Sequence, residues 1–285
     1  MALNIFEELD LTSSGDNVDE GFLKCKNNWA AWDTELNNAR DGEATLIAKI
    51  DTTTNITSLV GYKSRSVFGY VDANTITVSG GSYEVNGIMT TIAGSITTTA
   101  HGEVGGDWVY LYIDYSSIPS GGVLVQADLI WSTTEPAWSD SNVGWYNGND
   151  RCIFAVHITA NAIDKFYHNG DLIMWDQVLS IDTGNVPQSF TDIGDDFEMP
   201  NFSRNALATF SYSYADADAY LAWRTNGSSA SDGHFVGHVD SDSQESFVQA
   251  IVTVDSNLLI EIEDDVVSAN AYTLYQDGFY LPEGI

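Results

Sequence analysis

Between residues 22 and 50 the apolar positions advance in steps of three and four: Phe22, Cys25, Trp29, Trp32, Leu36 and Ala39, then Leu46 and Ile50. That spacing is the a/d repeat of a coiled coil rather than the broader stripe of a simple amphipathic helix. Asn17 with Glu20 supplies a start of the capping-box type, with Asn in place of Ser or Thr. Glu43, just after Asp41-Gly42, occupies the position that breaks the repeat. Little nearby sequence could cover Trp29 and Trp32, so identical helices are expected to bury them. Wide aromatic core positions fit three strands more easily than two. The expected oligomer interface is Phe22, Trp29, Trp32, Leu36, Leu46 and Ile50, and the alternative is one helix lying on the rest of its own chain.

From about Ser66 the period changes to two. Alternating segments recur at 75–79 (TITVS), 108–114 (WVYLYID), 122–130 (GVLVQADLI), 151–158 (RCIFAVHI) and 171–175 (DLIMW). Asn86-Gly87, Ser120-Gly121-Gly122 and Asn169-Gly170 supply turn chemistry between them. A second set follows Pro187: 205–214, 219–224, 246–254, 257–263 and 271–281. Many short alternating strands at this spacing predict an antiparallel sandwich or barrel, and sandwiches of the jelly-roll kind are the form expected. The fold class expected is mainly β, with an N-terminal α-helical coiled-coil segment followed by two antiparallel β-sandwich domains. The organisation expected is an arm over 1–20, a helical coiled coil over 21–60, and β-domains over 61–182 and 183–285, joined through the linker 181–190.

Charge changes this picture most. Ten Lys plus Arg stand against 41 Asp plus Glu, a formal net charge of −31, so a phosphate backbone would be repelled and nucleic acid is not an expected partner. No apolar run approaches the ~20 residues of a membrane-spanning helix. The opening MALNIFEELDLTSSGD has neither a basic start nor an apolar run, so it does not read as a secretory signal. Asn55, Asn201 and Asn226 head glycosylation-type triplets, to which that context gives no meaning.

The stretch GWYNGNDRCIFAVHI (144–158) gathers Asp150, Arg151, Cys152 and His157. Strand periodicity places Cys152 and His157 on opposite faces unless a bulge intervenes, so the stretch reads as a turn and a strand. Four acidic pairs (Asp195-Asp196, Asp216 with Asp218, Asp240 with Asp242, Asp264-Asp265) could serve a glycosidase, and Asp216 with Asp218 or Asp240 with Asp242 could instead hold calcium in a loop, but such pairs arise by chance among 41 acids. His234 and His238, four apart, would share a strand face and could meet a metal on a symmetry axis. The loop 132–150 carries Trp138, Trp145 and Tyr146 among Ser, Asn and Asp, a composition suited to sugar rings or to protein contacts. No catalytic motif, metal set or cofactor fingerprint emerges, and the chain does not read as an enzyme.

Several phrases resemble bacteriophage fibre and appendage proteins. They are ARDGEATLIAKID (39–51), the block SYEVNGIMTTIAG, DWVYLYIDYSSIPSGG, LIWSTTEPAWSDSNVGWYNGNDRCIFAVHI and FYHNGDLIMW, and the C-terminal AYLAWRTNGSS, GHFVGHVDSDSQESFVQAIVTVDSNLLIEIE and YQDGFYLPEGI. Together they cover most of residues 20–285. The resemblance implies a homotrimeric structural component of a virion, on tail or head. Its N-terminal arm would dock to other virion proteins, and its distal β-domains would meet a host-surface glycan or protein. A carbohydrate-binding module or lectin, and a polysaccharide-cleaving appendage, are the alternatives.

Overall fold

The computed structural model describes residues 62–99, 107–213, 219–231, 233–239, 245–264 and 270–285. The expected arm, the coiled coil and its interface residues Phe22, Trp29, Trp32, Leu36, Leu46 and Ile50 lie outside the described residues. Within them the chain is mainly β, and its strand pairings are antiparallel. Strands β1 (Tyr62–Ser64), β2 (Val67–Asp72), β3 (Thr75–Ser79), β4 (Ser82–Val85), β5 (Ile88–Thr91) and β6 (Ser95–Thr99) make two three-stranded sheets, β1-β4-β5 and β2-β3-β6. A six-stranded sheet follows, from β7 (Asp107–Ile113), β8 (Leu129–Ser132), β9 (Ala137–Ser139), β10 (Gly144–Asn147), β11 (Asp150–Thr159) and β12 (Ala162–Ile163). Its order is β8-β7-β11-β10-β9, with β12 paired to β11.

The last two sheets interleave along the chain. Strands β13 (Phe166–Asn169), β14 (Leu172–Asn185), β16 (Asn205–Ser213), β19 (Glu245–Thr253) and β21 (Ala271–Tyr280) pair in the order β13-β14-β21-β16-β19. Strands β15 (Thr191–Asp192), β17 (Ala219–Thr225), β18 (His234–Val239) and β20 (Ile260–Asp264) pair as β15-β20-β17-β18. Residues 59–285 form one compact unit, with a core that runs from Phe68 to Ile285. The boundary expected at 182/183 falls inside β14, which pairs with β21 as far as Asn185. Asp182-Thr183-Gly184-Asn185 has turn composition, but those residues find their backbone partners across the sheet.

Local chemistry explains where strands begin and end. Positions 75–79 alternate as expected, with Ile76 and Val78 buried. The segment 122–130 is not one strand. Asp128 accepts from the Val125 amide at 2.8 Å and turns residues 126–128 into a 3₁₀ segment, leaving only 129–132 in the sheet. Likewise Leu258 adopts a φ of +62°, so the segment expected from 257 becomes strand only at Ile260. In β11 nearly every side chain is buried, because the strand is central and covered on both faces.

Candidate functional site

The hairpin of β9 and β10 sets Trp138 opposite Trp145, their rings edge to face with centroids 5.6 Å apart. Trp138 is 43% exposed, and its indole N–H donates to Asp140 Oδ1 at 2.8 Å, which pins the ring. Trp145 is half-buried, tilted against Phe202 at 5.8 Å, and donates to the Glu283 carbonyl at 3.3 Å. Tyr146, the next residue, alternates to the other face and is buried. Its hydroxyl donates to the Glu84 carbonyl at 3.2 Å and accepts from Arg151 Nη1 at 3.1 Å. The structure therefore brings two of the three expected contact residues together at the surface and commits Tyr146 to the core.

The stretch 144–158 is a turn and a strand, as its chemistry implies. A bulge does intervene. The register passes from Cys152 opposite Tyr112 to Phe154 opposite Leu111, which leaves Ile153 as the extra residue. Cys152 and His157 consequently take positions of like parity, opposite Tyr112 and Trp108. Those positions are still four residues apart along β7, about 13 Å of strand. The Cys152 thiol donates to the Phe154 carbonyl at 3.4 Å, and burial pushes its pKa well above the usual thiol range.

His157 belongs to a different constellation. It lies in the floor of a groove of about 680 Å³ formed where β7, β11 and β14 meet the segment 195–201. The imidazole is buried and held between two carboxylates, Nδ1 at 2.7 Å from Asp164 Oδ2 and Nε2 at 3.4 Å from Glu198 Oε2. Thr159 donates its hydroxyl to the same Asp164 oxygen at 2.9 Å, and Trp108 covers the ring with centroids 5.1 Å apart. Asp195 and Asp196 line the same groove. Sequence reasoning missed this site because His157 sits in an apolar strand while Glu198 arrives from a loop with no periodic signal. The adjacent pair Asp195-Asp196 was the one legible sign.

Of the other candidate pairs, only Asp264 lies within the described residues. Asp264 is buried and accepts from Asn270, while Asp216, Asp218, Asp240, Asp242 and Asp265 lie outside the described residues. A register shift at Val236 sets His234 opposite Trp223 and His238 opposite Tyr220. Among the described residues, no group of three or more His, Cys, Asp or Glu is placed to hold a metal ion. Nor does any described helix have the length and apolarity to cross a membrane.

No family model and no curated protein matches the chain. Among solved structures it is similar to the crystal structure of a Bacillus thuringiensis Cry1Da tryptic core variant, at 10% identity over 77% of this chain and 51% of that one, with a TM-score of 0.15. The chain spans about half the length of that structure, and a likeness this slight carries no argument about fold or function.

Proposed function

We propose that the chain is a subunit of a virion appendage, a homotrimeric fibre or decoration protein whose β-sandwich domains contact the host surface. The observation that carries this reading is an antiparallel β unit presenting a fixed, half-exposed indole, Trp138, backed by Trp145 and Asp140. An indole face beside a carboxylate suits a sugar ring or a protein surface. The phrase-level resemblance to phage appendages and the heptad spacing of residues 22–50 supply the rest. Triplicating one weak contact raises effective concentration and converts it into avidity. Light scattering on the eluting protein tests the assembly: a molar mass near three times 31.1 kDa is expected, falling to 31.1 kDa once residues 1–50 are deleted. A full-length chain that elutes as a monomer would remove the trimer and with it the avidity argument.

The pinned Trp138 favours one second reading, a carbohydrate-binding module that acts as a single chain. That reading expects affinity for a defined glycan in the monomeric deletion variant as well. Absence of binding across a broad glycan array would set it aside.

A further inference from the structure

Four Asn-Gly pairs lie within the described residues: Asn86-Gly87, Asn147-Gly148, Asn169-Gly170 and Asn226-Gly227. Asn-Gly is the pair in which a side-chain amide is most open to attack by its own main chain, because no Cβ shields the Gly nitrogen that follows. The attack needs two freedoms. The Gly N–H must be able to lose its proton, and the Asn carboxamide must be able to turn its Cγ toward that nitrogen. At two of the pairs both freedoms are blocked. The Gly87 amide donates to Glu84 Oε1, and the Gly227 amide donates to Glu261 Oε1 at 3.2 Å. A carboxylate that accepts this proton makes its removal harder, by the hydrogen bond and by its own negative charge. The side chains are held as well. Asn86 Nδ2 donates to the Asn149 carbonyl at 2.8 Å, and its Oδ1 accepts from Asn142 Nδ2 at 2.7 Å. Asn226 Nδ2 donates to Asp255 Oδ2 at 3.0 Å.

Asn147 and Asn169 stand differently. Asn147 pairs with Asp150 and Asn169 with Leu172, which leaves Gly148 and Gly170 in the hairpin loops, exposed, with φ of +63° and +67°. Among the described residues, neither of these Gly amides donates a hydrogen bond, and none reaches the side chain of Asn147 or Asn169. We propose that Asn147 and Asn169 are sites of spontaneous deamidation in the folded chain, while Asn86 and Asn226 are protected. The Gly nitrogen gives its proton to hydroxide and attacks Cγ. The bond from Cγ to the side-chain nitrogen breaks, ammonia leaves, and a cyclic imide remains. Water then opens the ring at either carbonyl, to give Asp or, with an extra methylene in the main chain, isoaspartate. Water is the only reactant consumed. At Asn147 the change falls two residues after Trp145, in the strand that pairs with β9 and β11. The site is independent of the appendage reading and of trimer formation.

Ageing the full chain in mildly alkaline buffer at physiological temperature tests this, followed by peptic digestion in acid and mass spectrometry of each Asn-Gly peptide. Two hydrogen bonds must break before Asn86 or Asn226 can react, so Asn147 and Asn169 should convert about tenfold faster or more. In concentrated guanidinium, where those bonds are gone, all four should convert at similar rates. Glu84→Ala frees the Gly87 amide and should speed conversion at Asn86 about fivefold. Asn226 should keep its parental rate in that variant, which also shows that the fold is retained. Equal rates at all four sites of the folded chain would overturn the proposal. So would the same ranking in guanidinium, which would trace it to neighbouring residues in the sequence. Conversion in guanidinium with none in the folded chain, or no change at Asn86 in Glu84→Ala, would overturn it as well.

Discussion

Arg151 Nη2 donates to the carbonyl of Gly284 at 2.7 Å, joining the first residues of β11 to a segment 133 positions later. The guanidinium is fully buried, with Nη1 on the Glu84 carbonyl and on Tyr146, and its Cζ lies 5.4 Å from the Tyr146 ring centroid. Replacing it leaves the Gly284 carbonyl without this donor and the Glu84 carbonyl with the Tyr146 hydroxyl alone. Arg151→Met should therefore destabilise the β unit by about 3 kcal/mol or more, read as a lowered midpoint in chemical denaturation. A Cβ at Gly144 would come within 2.5 Å of the same guanidinium, so Gly144→Ala should be costly in the parent and nearly silent in Arg151→Met. Additive effects would show that the two positions do not communicate.

Gly278 sits where β21 runs between β14 and β16, opposite Met174 and Leu207. A Cβ there would lie 2.0 Å from the Ile173 carbonyl oxygen, which is backbone and cannot rotate away. Gly278→Ala should cost several kcal/mol, about the scale of an overpacked core, or prevent folding outright. Gly94→Ala, where a Cβ meets nothing within 4 Å, should stay within about 0.5 kcal/mol of the parent in the same thermal melt.

The Phe68 amide donates to His168 Nδ1 at 3.0 Å, so the ring proton resides on Nε2, which faces the Gly170 carbonyl at 2.7 Å. Burial, with Arg65 nearby, lowers the His168 pKa below its ordinary 6.5. A depressed folded-state value means that the unfolded chain takes the proton first. The stabilisation is complete above the unfolded value of about 6.5 and is lost as pH falls through the folded one. Between about pH 7.5 and pH 5.5 the parent should lose more stability than His168→Gln, and parallel losses would remove His168 as the cause.

Trp138 and Trp145 should separate binding from stability. Trp138→Ala leaves an exposed site and should melt within a few degrees of the parent, while any glycan binding at the hairpin disappears. Trp145→Ala also vacates the contact with Phe202 and should lower stability by about 2–4 kcal/mol. Glycan affinity that survives Trp138→Ala would move the contact surface elsewhere.

Cys152 offers a probe of opening. In a Cys25→Ser background its buried thiol should react with a thiol reagent only at the rate of unfolding, because burial holds it protonated. Fast stoichiometric labelling of the folded protein would contradict the buried placement.

Much of the β architecture was legible from residue order. The period of two in 75–79, 205–213 and 271–280 marked strands, since alternation follows from backbone pleating. Asn86-Gly87 and Asn169-Gly170 marked turns, where Gly87 and Gly170 take φ of +86° and +67°. Strand partners were not legible, because pairing depends on which edges meet after the chain has crossed itself. Hence a linker expected at 181–190 proved to be strand as far as Asn185, and interleaved sheets run through residues assigned to separate domains. The bulge at Ile153 gave Cys152 and His157 positions of like parity, since one inserted residue shifts the alternation of every position beyond it. The groove belongs wholly to the tertiary structure. His157, Asp164 and Glu198 share no periodicity and meet only because β11 and the loop before β16 pack together, so residue order could supply the acids but not the cleft that concentrates them.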